Sequence, residues 1–220
     1  MRDAIVFDIE TKKDPAVDGW NTATLGVGVG IVYEVARDRF LLYDDSPASV
    51  AEFRARVLRA DAVGGFNIWS FDYPVLFGLS KDDFAVSDIC RQARSSAIIF
   101  DVYRLARLGL NCSTNGPGPK GLNMDSISQL TLGLEAAGGK GCDSAKLPGM
   151  LQAGRLSAVL EECQRHVALE RDLCRFLLRH GYIIGQTAMT DPRRIEFAPD
   201  AELWANYPPS TPLLGSRLFG

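Results

Sequence analysis

The sequence predicts an α/β fold: a mixed sheet of about five strands, three antiparallel and then parallel, with helices on both faces. Three observations lead there. Five short β-rich runs occupy residues 4–9, 25–32, 39–43, 62–66 and 97–100. The spacing of the first three suggests an antiparallel meander. The last two alternate with helical patterns, the order that lays helices on the faces of a sheet.

Residues 4–9 (Ala4-Ile5-Val6-Phe7-Asp8-Ile9) form the first strand, and Pro15 and Gly19 make 14–21 a loop. In 25–32 glycine alternates with apolar residues, which suits a strand packed closely beneath a helix or carrying a bulge. It lacks the Gly-x-x-x-x-Gly-Lys-Ser/Thr pattern of a phosphate loop. Ser46-Pro47 opens a helix to residue 60, with Ser46 as cap and Val50, Phe53, Val57 and Leu58 as its apolar stripe. Strand 62–66 runs into Asn67-Ile68-Trp69-Ser70-Phe71-Asp72, and a helix starts at Tyr73-Pro74. After strand 97–100, Asp101 begins a helix carrying Val102, Leu105 and Leu108. The glycine- and proline-rich stretches 109–121 and 136–143 read as loops. Between them 122–133 is a short helix with Asp125 near its start and Gly133 at its end. The longest helix covers 156–181; Leu156, Leu160, Cys163, Val167, Cys174 and Leu177 mark its buried side, and Gly181 stops it.

The chain has 220 residues, 46% apolar and 23% charged, the balance of a soluble globular protein. Residues 1–186 read as one domain and 187–220 as an irregular C-terminal tail packed on it. No apolar run spans a bilayer, and Met1-Arg2-Asp3 opens no signal peptide. Five scattered cysteines (Cys90, Cys112, Cys142, Cys163, Cys174) point to reduced thiols and a cytoplasmic location. A net charge of −3 gives no basic footprint, so a nucleic-acid partner needs a local basic face or metal ions to offset its phosphates.

The chemistry starts with Asp8 and Glu10. Side chains alternate along a strand, so both point to one face. Like charges held that close suit a divalent cation between them, or they are ordinary strand-end acids facing water. Asp72 is a third acid, at a helix start after the fourth strand.

Phe7-Asp8-Ile9-Glu10-Thr11 and Asn67 through Phe71-Asp72, with Tyr73-Pro74-Val75-Leu76 after it, resemble the first two motifs of the DEDD 3'–5' exonucleases of the ribonuclease H-like superfamily. The likeness is greatest to the subgroup related to the proofreading domain of family B DNA polymerases. It runs over about residues 3–185, including Leu130-Thr131-Leu132-Gly133 and Arg179-His180-Gly181-Tyr182-Ile183. The resemblance implies a ribonuclease H-like sheet and hydrolysis of a phosphodiester at a 3' end. It also implies two ions, Mg²⁺ or Mn²⁺, about 3.5–4 Å apart on the scissile phosphate.

The third motif departs from that pattern. Family spacing back from Gly181-Tyr182 puts His166 where the aspartate stands and Glu162 where the tyrosine stands. The two lie one helical turn apart, on one face. Three readings stay open: Glu162 gives a carboxylate to the metal while His166 orients or deprotonates water; His166 itself ligates, favouring Mn²⁺; or the site is crippled. The histidine version of the motif would need an acid in register with His166, and Asp172 misses by one residue. Asp172 therefore reads as a solvated helix acid, and Asp101 as an N-cap rather than a ligand.

The resulting candidates are Asp8, Glu10, Asp72, His166 and Glu162 as catalytic residues, with Asp8, Glu10, Asp72 and His166 holding metal. Thr11, Asn67, Trp69 and Phe71 are the substrate-contact candidates. Trp69 suits stacking on a base or a place in the core. Arg104, Arg107, Arg165 and Arg171 suit phosphate contact or, better, a solvated helix face. The expected activity is a metal-dependent 3'–5' exonuclease on a single-stranded DNA or RNA 3' end, needing no membrane. The alternative is an exonuclease-like module, weak or inactive, that binds nucleic acid or a protein partner.

Overall fold

The computed structural model of the chain describes residues 3–80, 89, 99–113, 118–133 and 144–196. Its centre is strand β1, Ala4–Thr11. β2 (Val27–Glu34) pairs with it antiparallel, and β3 (Arg39–Asp44) pairs antiparallel with β2. On the other side β4 (Ala62–Gly65) and β5 (Ile99–Asp101) add in parallel. The order β3-β2-β1-β4-β5 is the expected mixed five-stranded sheet, an α/β arrangement consistent with a ribonuclease H-like fold.

The alternation of β1 sorts its side chains between two layers. Ile5, Phe7 and Ile9 enter one core with Phe53, Val57, Tyr73 and Leu76. Phe53 and Val57 come from α3 (Pro47–Arg59), capped by Ser46 as read from the sequence, and Tyr73 and Leu76 from α4 (Asp72–Phe77). Phe53 is fully buried, edge-on to Phe7 at 5.6 Å and stacked on Tyr43 at 4.7 Å. Truncating such an aromatic to alanine costs about 3–5 kcal/mol. Ala4 and Val6 enter the opposite core with Val159, Cys163 and Val167 of a 25-residue helix, Leu156–His180. Asp8 and Glu10 share the parity of Ala4 and Val6. The strand period alone therefore delivers both acids to that long helix.

The alternating glycines of β2 serve both purposes read for them. A Cβ at Gly30 would lie 2.1 Å from the Phe53 ring, so only glycine lets α3 close on the sheet. Gly28 lies where the β1–β2 register shifts, between Glu10 and Thr11. This bulge re-aims the end of β1.

Several elements differ from the sequence reading. The stretch read as a loop over 14–21 holds one short helical turn, α1 (Pro15–Asp18), capped by Asp14, and a second turn, α2 (Thr22–Leu25), capped by Asn21, follows it before β2. Asp101 caps α5 (Val102–Gly109), and α6 (Met124–Leu132) starts from an Asn123 capping box rather than at Leu122. α7 (Leu147–Gln152) precedes the long helix, which becomes α8. Regular structure also continues past residue 186. β7 (Arg193–Glu196) folds back on β6 (Tyr182–Gly185), because Ile195 is buried against Gly109 and Gly185. The expected loop 136–143 and the tail beyond 196 lie outside the described residues. No described helix is long and apolar enough to cross a membrane.

Candidate metal centre and cleft

Asp8 and Glu10 stand near the C-terminal end of β1, where crevices open in sheets of this kind. Asp72 opens α4, and its Oδ1 accepts the Ile9 N–H at 3.1 Å, which holds it beside the pair. α8 crosses this end of the sheet. Its His166 directs Nδ1 at Asp8 Oδ2 (3.3 Å) and Glu10 Oε1 (3.2 Å). Donor atoms of Asp8, Glu10 and His166 all lie within 4.8 Å of one another, near enough for one cation. Two carboxylates and an imidazole offer the mixed oxygen and nitrogen donors that a divalent metal ion can take.

Glu162 is not part of that group. Its Oε1 sits 3.2 Å from His166 Nε2, on the far side of the ring, and accepts Arg165 Nη2 at 2.6 Å. The geometry thus assigns the i,i+4 pair unequal places: His166 faces the acids, and Glu162 backs the ring.

Charge is crowded here. Burial pushes the Glu10 carboxyl up; the His166 hydrogen bond pulls it back, Asp8 pushes further, and the group reaches about 7. Burial, then the charge of Asp8, raises Asp72 well above the usual carboxyl range. Burial works against the His166 imidazolium, yet its hydrogen bonds to Asp8 and Glu10 outweigh burial and lift it to about 10. Without a metal, the ring is the cation that faces these acids. The Cys163 thiol, 3.8 Å from Asp8 Oδ2, is pushed well up by burial and by Asp8.

The other candidates divide. Asn67 and Phe71 line a cleft with about 620 Å³ of room beside the acids, enough for a nucleotide. Thr11 lines it too, but its hydroxyl donates to Lys13 O at 2.7 Å and is occupied in shaping the chain after β1. Trp69 is not among the cleft residues. It packs against the core beneath the Arg104 guanidinium, 5.2 Å away. Asp101 is the N-cap read from the sequence and more: it accepts the N–H groups of Asn67, Trp69 and Arg104. It thereby pins the 67–69 turn, where Asn67 holds a left-handed φ of 63°. Asp172 pairs with Arg171 and Arg175 at the surface, away from the acids. Of the four arginines only Arg165 reaches the cleft; Arg107 lies over Tyr103 and Arg171 over Tyr33.

Two residues of the cleft escape the sequence reading. Glu170, one turn past His166, is buried and lines the cleft near its floor. The signal was the spacing 162, 166, 170, which keeps one helical face. Trp20 stands on the rim, 71% exposed and edge-on to Phe71 at 6.3 Å. Its only cue was an aromatic residue in a short loop after the acidic strand.

The chain matches no protein-family model and no curated protein. Among solved structures it is similar to the family B DNA polymerase from the hyperthermophilic archaeon Pyrobaculum calidifontis, with a TM-score of 0.51 and 15% identity. The match covers 81% of this chain and 25% of that one, so the chain spans about a quarter of that polymerase. At that identity the likeness speaks for the fold.

Proposed function

We propose that the chain is a metal-dependent 3'–5' exonuclease that hydrolyses phosphodiester bonds at the 3' end of single-stranded DNA or RNA. The observation that carries this reading is the convergence of Asp8, Glu10 and His166 within reach of one cation, at the head of a nucleotide-sized cleft. The motif resemblance of residues 7–11 and 67–76 and the fold shared with a family B polymerase support it from separate directions.

Asp8, Glu10 and His166 would hold a divalent cation, with Asp72 beside them. Such ions supply a Lewis acid for the phosphoryl oxygen and lower the pKa of bound water. His166 loses its ring proton before it can ligate. Glu162, fixed by Arg165, keeps the ring turned toward the acids, as carboxylates behind ligating histidines do. Hydrolysis there would add water across the bond between phosphorus and the 3' oxygen, the water oxygen going to phosphorus and a proton to the 3' oxygen. Asn67 and Phe71 form the wall for the terminal nucleotide, with Trp20 at the rim.

One observation favours a binding module instead: the His166 imidazolium can itself occupy the space between the acids. The two readings separate on end-labelled single-stranded DNA and RNA with Mg²⁺ or Mn²⁺. Cleavage stronger with Mn²⁺ and lost in Asp8→Asn supports the exonuclease. Intact substrates with wild-type protein, together with digestion by His166→Asp, support the module.

A further inference from the structure

A strand entering the cleft would bring its phosphates to walls whose charged side chains are mostly acids. Besides the acids at its head, Asp14 and Asp125 line it. The whole chain carries a net charge of −3, so attraction at a distance does little for such a strand. Positive charge has to stand where the phosphates pass. Among the described residues lining the cleft, Arg165 is the one arginine or lysine. Its side chain is 24% exposed. Nε and Nη2 both donate to Glu162 Oε1, at 3.1 and 2.6 Å. A guanidinium carries five N–H donors in a planar fork. Glu162 fixes one edge of that fork, and Nη1 has no hydrogen-bond partner among the described residues. The same Glu162 oxygen sits 3.2 Å from His166 Nε2. One carboxylate oxygen thus sets the places of the ring and the guanidinium together, at the edge of the metal centre.

We infer that Arg165 binds a backbone phosphate of the single strand through the donors that Glu162 leaves open. This rests on the proposed exonuclease reading and names the residue that receives the strand beside the metal. An exposed i,i+3 ion pair on a helix is worth little for stability, so the pair with Glu162 does not by itself account for Arg165. The other candidate arginines are spent elsewhere: Arg104 lies over Trp69, Arg107 over Tyr103, and Arg171 over Tyr33 and against Asp172. Arg165 alone of the four combines a place in the cleft with an open donor. Its planar fork matches the oxygens of a phosphate. The carboxylate on its other edge holds the long side chain in place, which lowers the cost of ordering it when the phosphate arrives. An ion between Asp8, Glu10 and His166 offsets charge at the head of the cleft, and Arg165 offsets it beside the head.

Fluorescence anisotropy with a labelled single-stranded oligonucleotide, and Ca²⁺ in place of Mn²⁺, tests the contact without a nuclease readout. Arg165→Ala is expected to bind about tenfold more weakly at low salt. Its log affinity should also fall less steeply with log salt, by about 0.7, the share of one phosphate on a single strand. Arg165→Lys keeps the charge and is expected to keep the steeper slope with part of the affinity. Arg165→Gln, neutral but still able to donate to Glu162, replaces the alanine variant if that one does not fold. The strand is then changed instead of the protein, with a neutral methylphosphonate at the last or the next-to-last linkage. At one of the two, the change costs wild type about the same factor and costs Arg165→Ala nothing further. Equal affinity and slope in wild type and Arg165→Ala, or methylphosphonate costs that are the same in both, overturn the contact and leave cleavage of end-labelled strands to judge the exonuclease. Wild type that binds no strand overturns the contact as well. The expected binding pattern on strands that stay uncleaved with Mg²⁺ or Mn²⁺ upholds the contact and overturns the exonuclease.

Discussion

The two ends of β1 handle buried acid in opposite ways. At the N-terminal end, Glu34, paired in register with Ile5, is 3% exposed and meets three guanidinium groups: Arg37, Arg39 and Arg56. Arg56 also clasps Asp3 through two hydrogen bonds of 2.9 and 2.7 Å. Burial alone would raise the Glu34 carboxyl, but hydrogen bonds from Arg39 and Arg37 and the Arg56 charge hold it below the usual range. At the C-terminal end, Glu10, Asp72 and Glu170 are all raised, and among the described ion pairs the His166 imidazole meets only Glu10 of the three. The first cluster is complete within the protein. The second is short of positive charge, and that shortage is what a cation-binding centre needs. The contrast separates a structural acid from a candidate functional one more surely than burial does, since both are equally hidden.

The largest expected effect breaks the complete cluster. Arg56→Ala takes from Glu34 the one of its three partners that is itself buried, leaves it Arg37 and Arg39, and frees Asp3; losing these charge-assisted hydrogen bonds costs about 3 kcal/mol. For a domain of this size, about 2–4 °C per kcal/mol means that Tm falls by about 10 °C. Cleavage measured well below the new Tm stays near wild type. A stable Arg56→Ala protein would mean that the cluster is surface decoration. Asp72→Asn makes the opposite change. Asparagine still accepts the Ile9 N–H and removes one of the crowded charges. The metal-free Tm is expected to hold or rise, while the cleavage rate drops by about 10²–10³, the usual cost of losing one electrostatic contact to a transition state.

The two ends should also answer pH with opposite signs. Glu34 has a lowered pKa, so its contribution is present above the ordinary carboxyl range and is lost on acidification. Glu10 and His166 are raised, to about 7 and about 10 from ordinary values of 4.5 and 6.5. The folded protein therefore holds more protons than the unfolded chain across that window, and stability falls as pH rises through it. The acids of β1 and α4, the Glu162 carboxylate and the neighbouring Arg165 all face this ring or its partners. Metal-free Tm measured from pH 6 to 9 should decline, and saturating Mn²⁺ should flatten the decline by taking the place of the protons. A Tm that climbs over this range without metal would contradict the charge assignment at the C-terminal end.

What was legible in the sequence follows the same division. Period-two alternation put Asp8 and Glu10 on one face, and cap chemistry marked Ser46, Asp101 and Gly181, because these are local rules that need no partner. The one-turn spacing of Glu162 and His166 was equally readable, though not which of them faces the acids. Glu170 was not, since on a helix carrying Glu161, Arg171 and Asp172 an acid reads as solvated until the sheet beneath is known. β7 was hidden for a related reason: Arg-Arg-Ile-Glu has one apolar residue, and only its contact with Gly109 and Gly185 makes it a strand. α7, Leu147–Gln152, carries Pro148 and Gly149 and shows no helical period over so few residues.

The smallest expected effect lies at the rim, where neither kind of acid reaches. Trp20 is 71% exposed and meets Phe71 edge-on, so Trp20→Ala should move stability by no more than about 0.5 kcal/mol. If its face receives a base from the strand entering the cleft, its loss removes one stacking contact, worth about 1 kcal/mol at so open a position. That is about a fivefold weaker affinity for a single-stranded oligonucleotide, read by fluorescence anisotropy. A cut-off in length should accompany it. A mononucleotide seated against Asn67 and Phe71 is indifferent to Trp20, and an oligonucleotide long enough to reach the rim is not. Equal affinity of wild type and Trp20→Ala for long and short strands would remove the rim from the substrate path.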